Sequence, residues 1–130
     1  AETALREALE RVPNDARSVL ALAEVFARTD REEEAYEQYR RAADLDPRDP
    51  DPLLRAARLA LAQERSVLAS AFLQRVMARH PDHAAALALM GDVMRARRRA
   101  AQAREFYERA LSAGGGLDRE RVERALRELR

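Results

Sequence analysis

The sequence predicts an all-α fold, a solenoid of antiparallel helix pairs, and three observations carry that expectation. Composition is the first: Ala (28), Arg (24) and Leu (17) lead, with Glu following, so strong helix formers fill the chain. Scarcity is the second: Ile is absent, and Val and Thr together number 9, which leaves little to build strands. The third is punctuation. Pro13, Pro47 and Pro81 stand 34 residues apart, and the next step of 34 reaches Gly115 inside Gly114-Gly115-Gly116. A fixed period of this length marks stacked structural repeats.

Repeats written as 16–49, 50–83 and 84–117 align far more than the prolines. The fourth place holds Val19, Leu53 and Leu87. The seventh and eighth hold Leu22-Ala23, Ala56-Ala57 and Met90-Gly91, and the eleventh Phe26, Ala60 and Met94. Later columns are Ala35, Ala69 and Ala103, then Tyr39, Leu73 and Tyr107, then Ala42, Val76 and Ala110. Spacings of 3, 4, 7 and 8 gather each set on one helix face, so every repeat predicts two amphipathic helices joined by a short turn. The expected pairs are 16–29 with 32–45, 50–63 with 66–79, and 84–97 with 100–113. Local signals fit these spans: Asp30 with Glu33 reads as a capping box, Ser66 and Asp82 as N-caps, Pro50 and Pro52 as first-turn residues.

The columns also run backward. Ala1, Leu5, Ala8 and Pro13 take the places of Ala35, Tyr39, Ala42 and Pro47, so residues 1–15 read as the second helix of a truncated preceding repeat. Forward of the glycines, one inserted residue brings Val122, Ala125, Leu126 and Leu129 into the fourth, seventh, eighth and eleventh places. Residues 118–130 therefore predict a terminal capping helix with a charged outer face, and the whole of 1–130 reads as a single domain.

A two-helix unit of 34 residues with small residues at the eighth and twentieth places, an aromatic or Leu at the twenty-fourth, Ala at the twenty-seventh and Pro at the thirty-second resembles the tetratricopeptide repeat. The resemblance spans essentially the whole chain. Two departures stand out: the family's usual Gly between paired helices is replaced by Asp30, Glu64 and Arg98, and its first aromatic is Val or Leu. The related pentatricopeptide family repeats near 35 residues, which the strict 34 opposes.

What the resemblance implies is a right-handed superhelix whose inner groove, lined by the first helix of each pair, binds a helix or extended peptide of a partner protein. Places facing away from the packed columns put Arg17, Leu20, Glu24, Ala27 and Arg28 in that groove, with Asp51, Leu54, Arg58, Leu61 and Ala62, then Ala85, Ala88, Asp92, Arg95 and Ala96. Leu54 and Leu61 occupy a non-core place and are expected to be exposed as anchors for a ligand. The plainer alternative is that they are tolerated there, or covered by a neighbouring segment of a longer protein. Some family members clamp the C-terminal carboxylate of heat-shock chaperones with Lys, Asn and Arg. Here the corresponding places carry Leu20 and Glu24, Leu54 and Arg58, and Ala85, Ala88 and Asp92, so the clamp is absent.

Other function classes fare worse. There is no Cys, and the four Ser residues read as caps or helix surface, so the sequence predicts no enzyme, no cofactor and no metal site. His80 and His83 flank Pro81-Asp82 without a third or fourth ligand and read as loop residues. Arg97, Arg98, Arg99 and Arg104, with Arg95 beside them, form one basic patch. It suits phosphate or an acidic segment, but no aromatic platform accompanies it and the chain's net charge is +1, against a nucleic-acid role. The runner-up readings are a homo-oligomeric scaffold docking end to end, and an arm of a secretion, pilus or export machine, as in bacterial domains resembling this one. No apolar run approaches about 18 residues, so no membrane insertion and no leader are expected, and the chain reads as soluble, cytoplasmic or periplasmic.

Overall fold

The computed structural model describes residues 1–115 and 117–129, and among them it contains eight helices and no strand. They are α1 (Glu2–Arg11), α2 (Ala16–Arg28), α3 (Glu32–Leu45), α4 (Asp51–Ala62), α5 (Ser66–Arg79), α6 (Ala84–Ala96), α7 (Ala100–Ala113) and α8 (Arg119–Glu128). Three-residue turns join α2 to α3, α4 to α5 and α6 to α7, while the longer loops carry Pro13, Pro47 and Pro81. Gly116, the last glycine of the expected helix stop, lies outside the described residues; Gly114 and Gly115 follow α7 with φ of 72° and 36°. The chain forms two compact units, 1–59 and 60–130, and the division falls inside α4 rather than at a repeat boundary.

In the unit 1–59, α2 packs on α3 and α1 on α2. Val19, Leu22, Ala23 and Phe26 of α2 bury the face that their 3, 4, 7 spacing defines, and Ala35, Tyr36, Tyr39, Ala42 and Ala43 of α3 do likewise. Helix α1 buries no residue outright and is held by a polar belt. Arg31 pairs with Glu2 at 2.6 Å and with Glu34 at 2.6 Å, and its guanidinium lies 4.3 Å from the Phe26 ring centroid. The Arg6 hydrogen bond, with the Arg31 charge behind it, holds the Glu2 carboxyl below its ordinary range.

In the unit 60–130, α6 packs between α5 and α7, and α8 packs on α7. Helix α6 is apolar almost all round, with Ala86 through Gly91, Val93 and Met94 buried. Its Gly91 brings the backbone against Tyr107: a Cβ there would fall 2.5 Å from two ring carbons.

The turn chemistry differs from the sequence expectation. Asp30 is not the N-cap of α3, a place that Arg31 takes without a side-chain cap bond; it adopts φ 57°, and Glu64 and Arg98 both adopt φ 59°. With only three residues to reverse the chain, the middle one is driven into the left-handed region. The next amide then reaches back across the helix end, from Arg31 to Phe26 at 3.0 Å, Arg65 to Ala60 at 2.8 Å and Arg99 to Met94 at 2.8 Å. Consequently α3, α5 and α7 begin without side-chain caps, and Ser66 is the first residue of α5 rather than its cap. Asp82 does not cap α6 either; His83 does, its Nδ1 accepting from the Ala86 amide at 3.2 Å. Side-chain caps stand where the loops are longer, at Asp15 on α2 and Asp118 on α8.

A left-handed conformation costs an L residue about 1–2 kcal/mol, which glycine escapes at some entropic cost. Glu64→Gly and Arg98→Gly should therefore each raise the urea midpoint, by a net gain of about 0.5–1 kcal/mol, and Asp30→Gly by less because Asp tolerates this region better. A lowered midpoint in all three would contradict the turn geometry.

Candidate ligand-binding cleft

Helix α2 turns Arg17, Leu20, Glu24 and Arg28 to the side opposite its buried face, at intervals of 3, 4 and 4 residues. The structure brings these four together around a cleft of about 410 Å³, which Leu5 of α1, Ala21 and Val25 of α2 and Arg55 of α4 complete. Its floor is aliphatic. Arg17 and Leu20 also border a smaller recess of about 80 Å³ beside Ala42 and Pro52.

The cleft's charges divide into a spent pair and free ends. Glu24 accepts from Arg55 Nη1 at 2.7 Å, and Arg55 Nε donates to Asp51 at 2.7 Å. Those bonds, Glu24 first and Asp51 second, raise the Arg55 pKa far above its ordinary value. Behind Glu24 stands Tyr39, whose phenol is kept neutral by burial first and by the adjacent Glu24 carboxylate second. Glu24 and Asp51 are thus satisfied internally. Arg17 and Arg28 are paired with no carboxylate of the described residues, and the same holds for Arg58 on α4.

Other expected groove residues are placed differently. Leu54 is only 6% exposed, which corrects its expected role as an open anchor. On α4 the buried set is Pro52, Leu53, Leu54, Ala56, Ala57 and Ala60, an arc of about 200° at 100° per residue, wide enough to take in a flanking position. Ala88 is likewise corrected: at 1% exposure it belongs to the nearly all-round burial of α6. Leu61 and Ala85 are half-buried. Asp92 accepts from the Tyr107 hydroxyl at 2.5 Å and from Arg121 Nη1 at 3.1 Å, while Arg95 pairs with Glu128. Helix α8 therefore claims both charges of α6 that were expected to meet a partner. Burial and the bond to Asp92 raise the Tyr107 pKa, keeping it a donor.

Arg97, Arg98 and Arg99 of the α6–α7 turn and Arg104 of α7 are all exposed. The His80 and His83 rings lie 6.3 Å apart, but the cap bond occupies His83 Nδ1, and no group of three metal-binding side chains occurs among the described residues. Sequence reasoning missed Leu5, Ala21, Val25 and Arg55. On the helical wheel the sixth and tenth places, Ala21 and Val25, lie within about 80° of Arg17, and that angle was the available signal.

Residues 31–91 match a family model described as a tetratricopeptide repeat, and residues 1–50 match a second of the same description. No curated protein sequence matches the chain. Among solved structures, Pseudomonas aeruginosa pilF is 28% identical with a TM-score of 0.82, covering 96% of this chain and 56% of its own. A MamA protein is 21% identical with a TM-score of 0.80, covering 99% of this chain and 69% of its own. The first TPR of Spaghetti (RPAP3), solved bound to the HSP90 peptide SRMEEVD, is 18% identical with a TM-score of 0.74, covering 88% and 89%.

Proposed function

This chain belongs to the tetratricopeptide repeat family, and we propose that it holds a segment of a partner protein, helical or extended, in the cleft between α1, α2 and α4. The tetratricopeptide fold is a protein-interaction scaffold, and the RPAP3 domain of the same fold was solved with a peptide bound. The observation that carries the reading is the division of charge in the cleft. An aliphatic floor of Leu5, Leu20, Ala21 and Val25 lies between Arg17 and Arg28, both without a carboxylate partner among the described residues, while Glu24 is neutralised by Arg55.

Such a site recognises apolar side chains on one face of a segment, with acids near its ends. Arg17 and Arg28 are eleven residues apart on α2, roughly 16 Å along the axis. A preformed cleft leaves most of the ordering cost to the ligand. The lining contains no hydroxyl, thiol or imidazole, and its one carboxylate is ion-paired, so the reading is non-enzymatic.

Selection from a random peptide display library supplies the test. Selected peptides should pair apolar residues with acids, and Leu20→Glu with Arg28→Glu should weaken them at least about tenfold while the melting midpoint holds, as expected when central apolar anchors carry most of the affinity. Peptides that bind both versions equally would remove the function from this cleft.

A further inference from the structure

We propose a second docking site in the unit 60–130, on the outer side of α5 at its first turn, for an acidic segment of a partner protein carrying an aliphatic anchor. Val67, at 71% exposure, is the most exposed large apolar residue described. It does not stand alone. Val67, Leu68 and Ala71 line a cleft of about 650 Å³ together with Ser66, the cations Arg65 and Arg97, and one carboxylate, Glu64, which is ion-paired with neither Arg97 nor its neighbours Arg98 and Arg99.

The repeat itself shows that this surface is unusual. One period earlier the places of Val67, Leu68 and Ala71 are held by Glu33, Glu34 and Glu37; one period later they are held by Ala101, Gln102 and Glu105. Folding asks for no apolar residue there, since the helix keeps its buried face in Ala69, Phe72, Leu73 and Val76. The basic run is equally local: the places of Arg97, Arg98 and Arg99 carry Gln63, Glu64 and Arg65 one period before and Thr29, Asp30 and Arg31 two periods before. Aliphatic side chains stand in this one repeat where its predecessor has three glutamates, and an arginine cluster stands at the neighbouring turn of the next.

No carboxylate of the described residues is paired with Arg97, Arg98 or Arg99. A ligand that satisfies the site must therefore bring carboxylates to the arginines and an aliphatic side chain to the recess beside them. A nucleic acid would use the cations and leave the apolar recess uncovered, and the lining offers no aromatic ring for a base to stack on. A flat anionic bilayer cannot fill a recess. A peptide segment meets both demands.

The probe is a fluorescein-labelled peptide, EELLEELLEE, titrated by fluorescence anisotropy against the protein carrying Leu20→Glu and Arg28→Glu, so that the cleft of residues 1–59 does not contribute. Binding should weaken at least about tenfold with Val67→Glu, and by a similar factor with Arg97→Glu and Arg98→Glu together, as losses at central anchors do. Val67→Glu restores the residue type found one period earlier at an exposed position, so its far-UV circular dichroism and melting midpoint should match the parent. The leucine-free peptide EESSEESSEE should bind at least about tenfold more weakly than EELLEELLEE, because the aliphatic contact is lost. Three results would overturn the proposal: no binding of EELLEELLEE, equal binding of the two peptides, or affinity unmoved by Val67→Glu. Retention on phosphatidylserine vesicles without peptide binding would assign the patch to membranes instead.

Discussion

Gly91→Ala is expected to lower the melting midpoint by roughly 3–10 °C, corresponding to a loss of about 1–3 kcal/mol. Helix propensity alone predicts the opposite sign, since alanine in a helix interior gains up to about 1 kcal/mol over glycine. The ring of Tyr107 decides the outcome. A Cβ on residue 91 would lie 2.5 Å from ring carbons Cδ1 and Cε1 and 2.9 Å from Cζ, far inside contact distance. These atoms belong to the body of a ring that is fully buried and tethered through its hydroxyl to Asp92, so it cannot swing away. Either α6 and α7 separate or the Tyr107–Asp92 bond breaks.

A double-mutant cycle identifies the cause. Tyr107→Leu alone destabilises, because it removes a buried ring and the hydroxyl bonded to Asp92. On that background Gly91→Ala should be neutral or stabilising, since the clash is gone and only propensity remains. Ala at the eighth place with Leu at the twenty-fourth is the pairing of residue types already present as Ala57 and Leu73. Equal damage from Gly91→Ala with and without the ring would mean that contact with Tyr107 is not what glycine permits.

Helix identity and order were legible because they rest on a period repeated three times and on prolines in phase with it. The turns were not, and Asp30 shows why. An Asp three residues before a Glu is a sound local signal for a capping box, yet a three-residue connection leaves no extended residue to act as cap. Chain reversal takes precedence, and Asp30 becomes the left-handed residue that closes α2. Side-chain pairing across helices was equally hidden. Glu24 and Asp92 occupy corresponding places, and both are spent on a tyrosine and an arginine brought in by tertiary packing: Tyr39 and Arg55 for one, Tyr107 and Arg121 for the other. No spacing rule within a single repeat announces that a charge facing the groove is already neutralised.

The breadth of the buried arc is the remaining gap, and it has the larger energetic consequence. The fifth place lies only about 60° from the eighth on the helical wheel, so it is core or groove according to how many neighbours the helix has. On α2 it is the half-buried Leu20 and on α4 the buried Leu54. Leu54→Glu should therefore cost about 3–5 kcal/mol, from lost apolar burial and an uncompensated buried carboxylate, against a total stability of about 5–15 kcal/mol for a domain. Leu20→Glu should stay within about 1 kcal/mol. Both are read by urea denaturation, and equal midpoints would refute the burial of Leu54.

The pH dependence separates the two components of the Leu54→Glu loss. Burial raises the pKa of the introduced carboxyl in the folded chain above its unfolded value. Its charge penalty is then complete above the folded pKa and fades as pH falls toward the unfolded value. Relative to the parent, the Leu54→Glu deficit should shrink between about pH 7 and pH 4.5, whereas Leu54→Gln, which loses the same packing without a charge, should keep a constant deficit. A Leu54→Glu deficit independent of pH would mean that the introduced carboxylate reaches water. Loss of ligand binding in this variant would report unfolding rather than a missing anchor, which is why Leu20 and Arg28 are the positions that test the cleft.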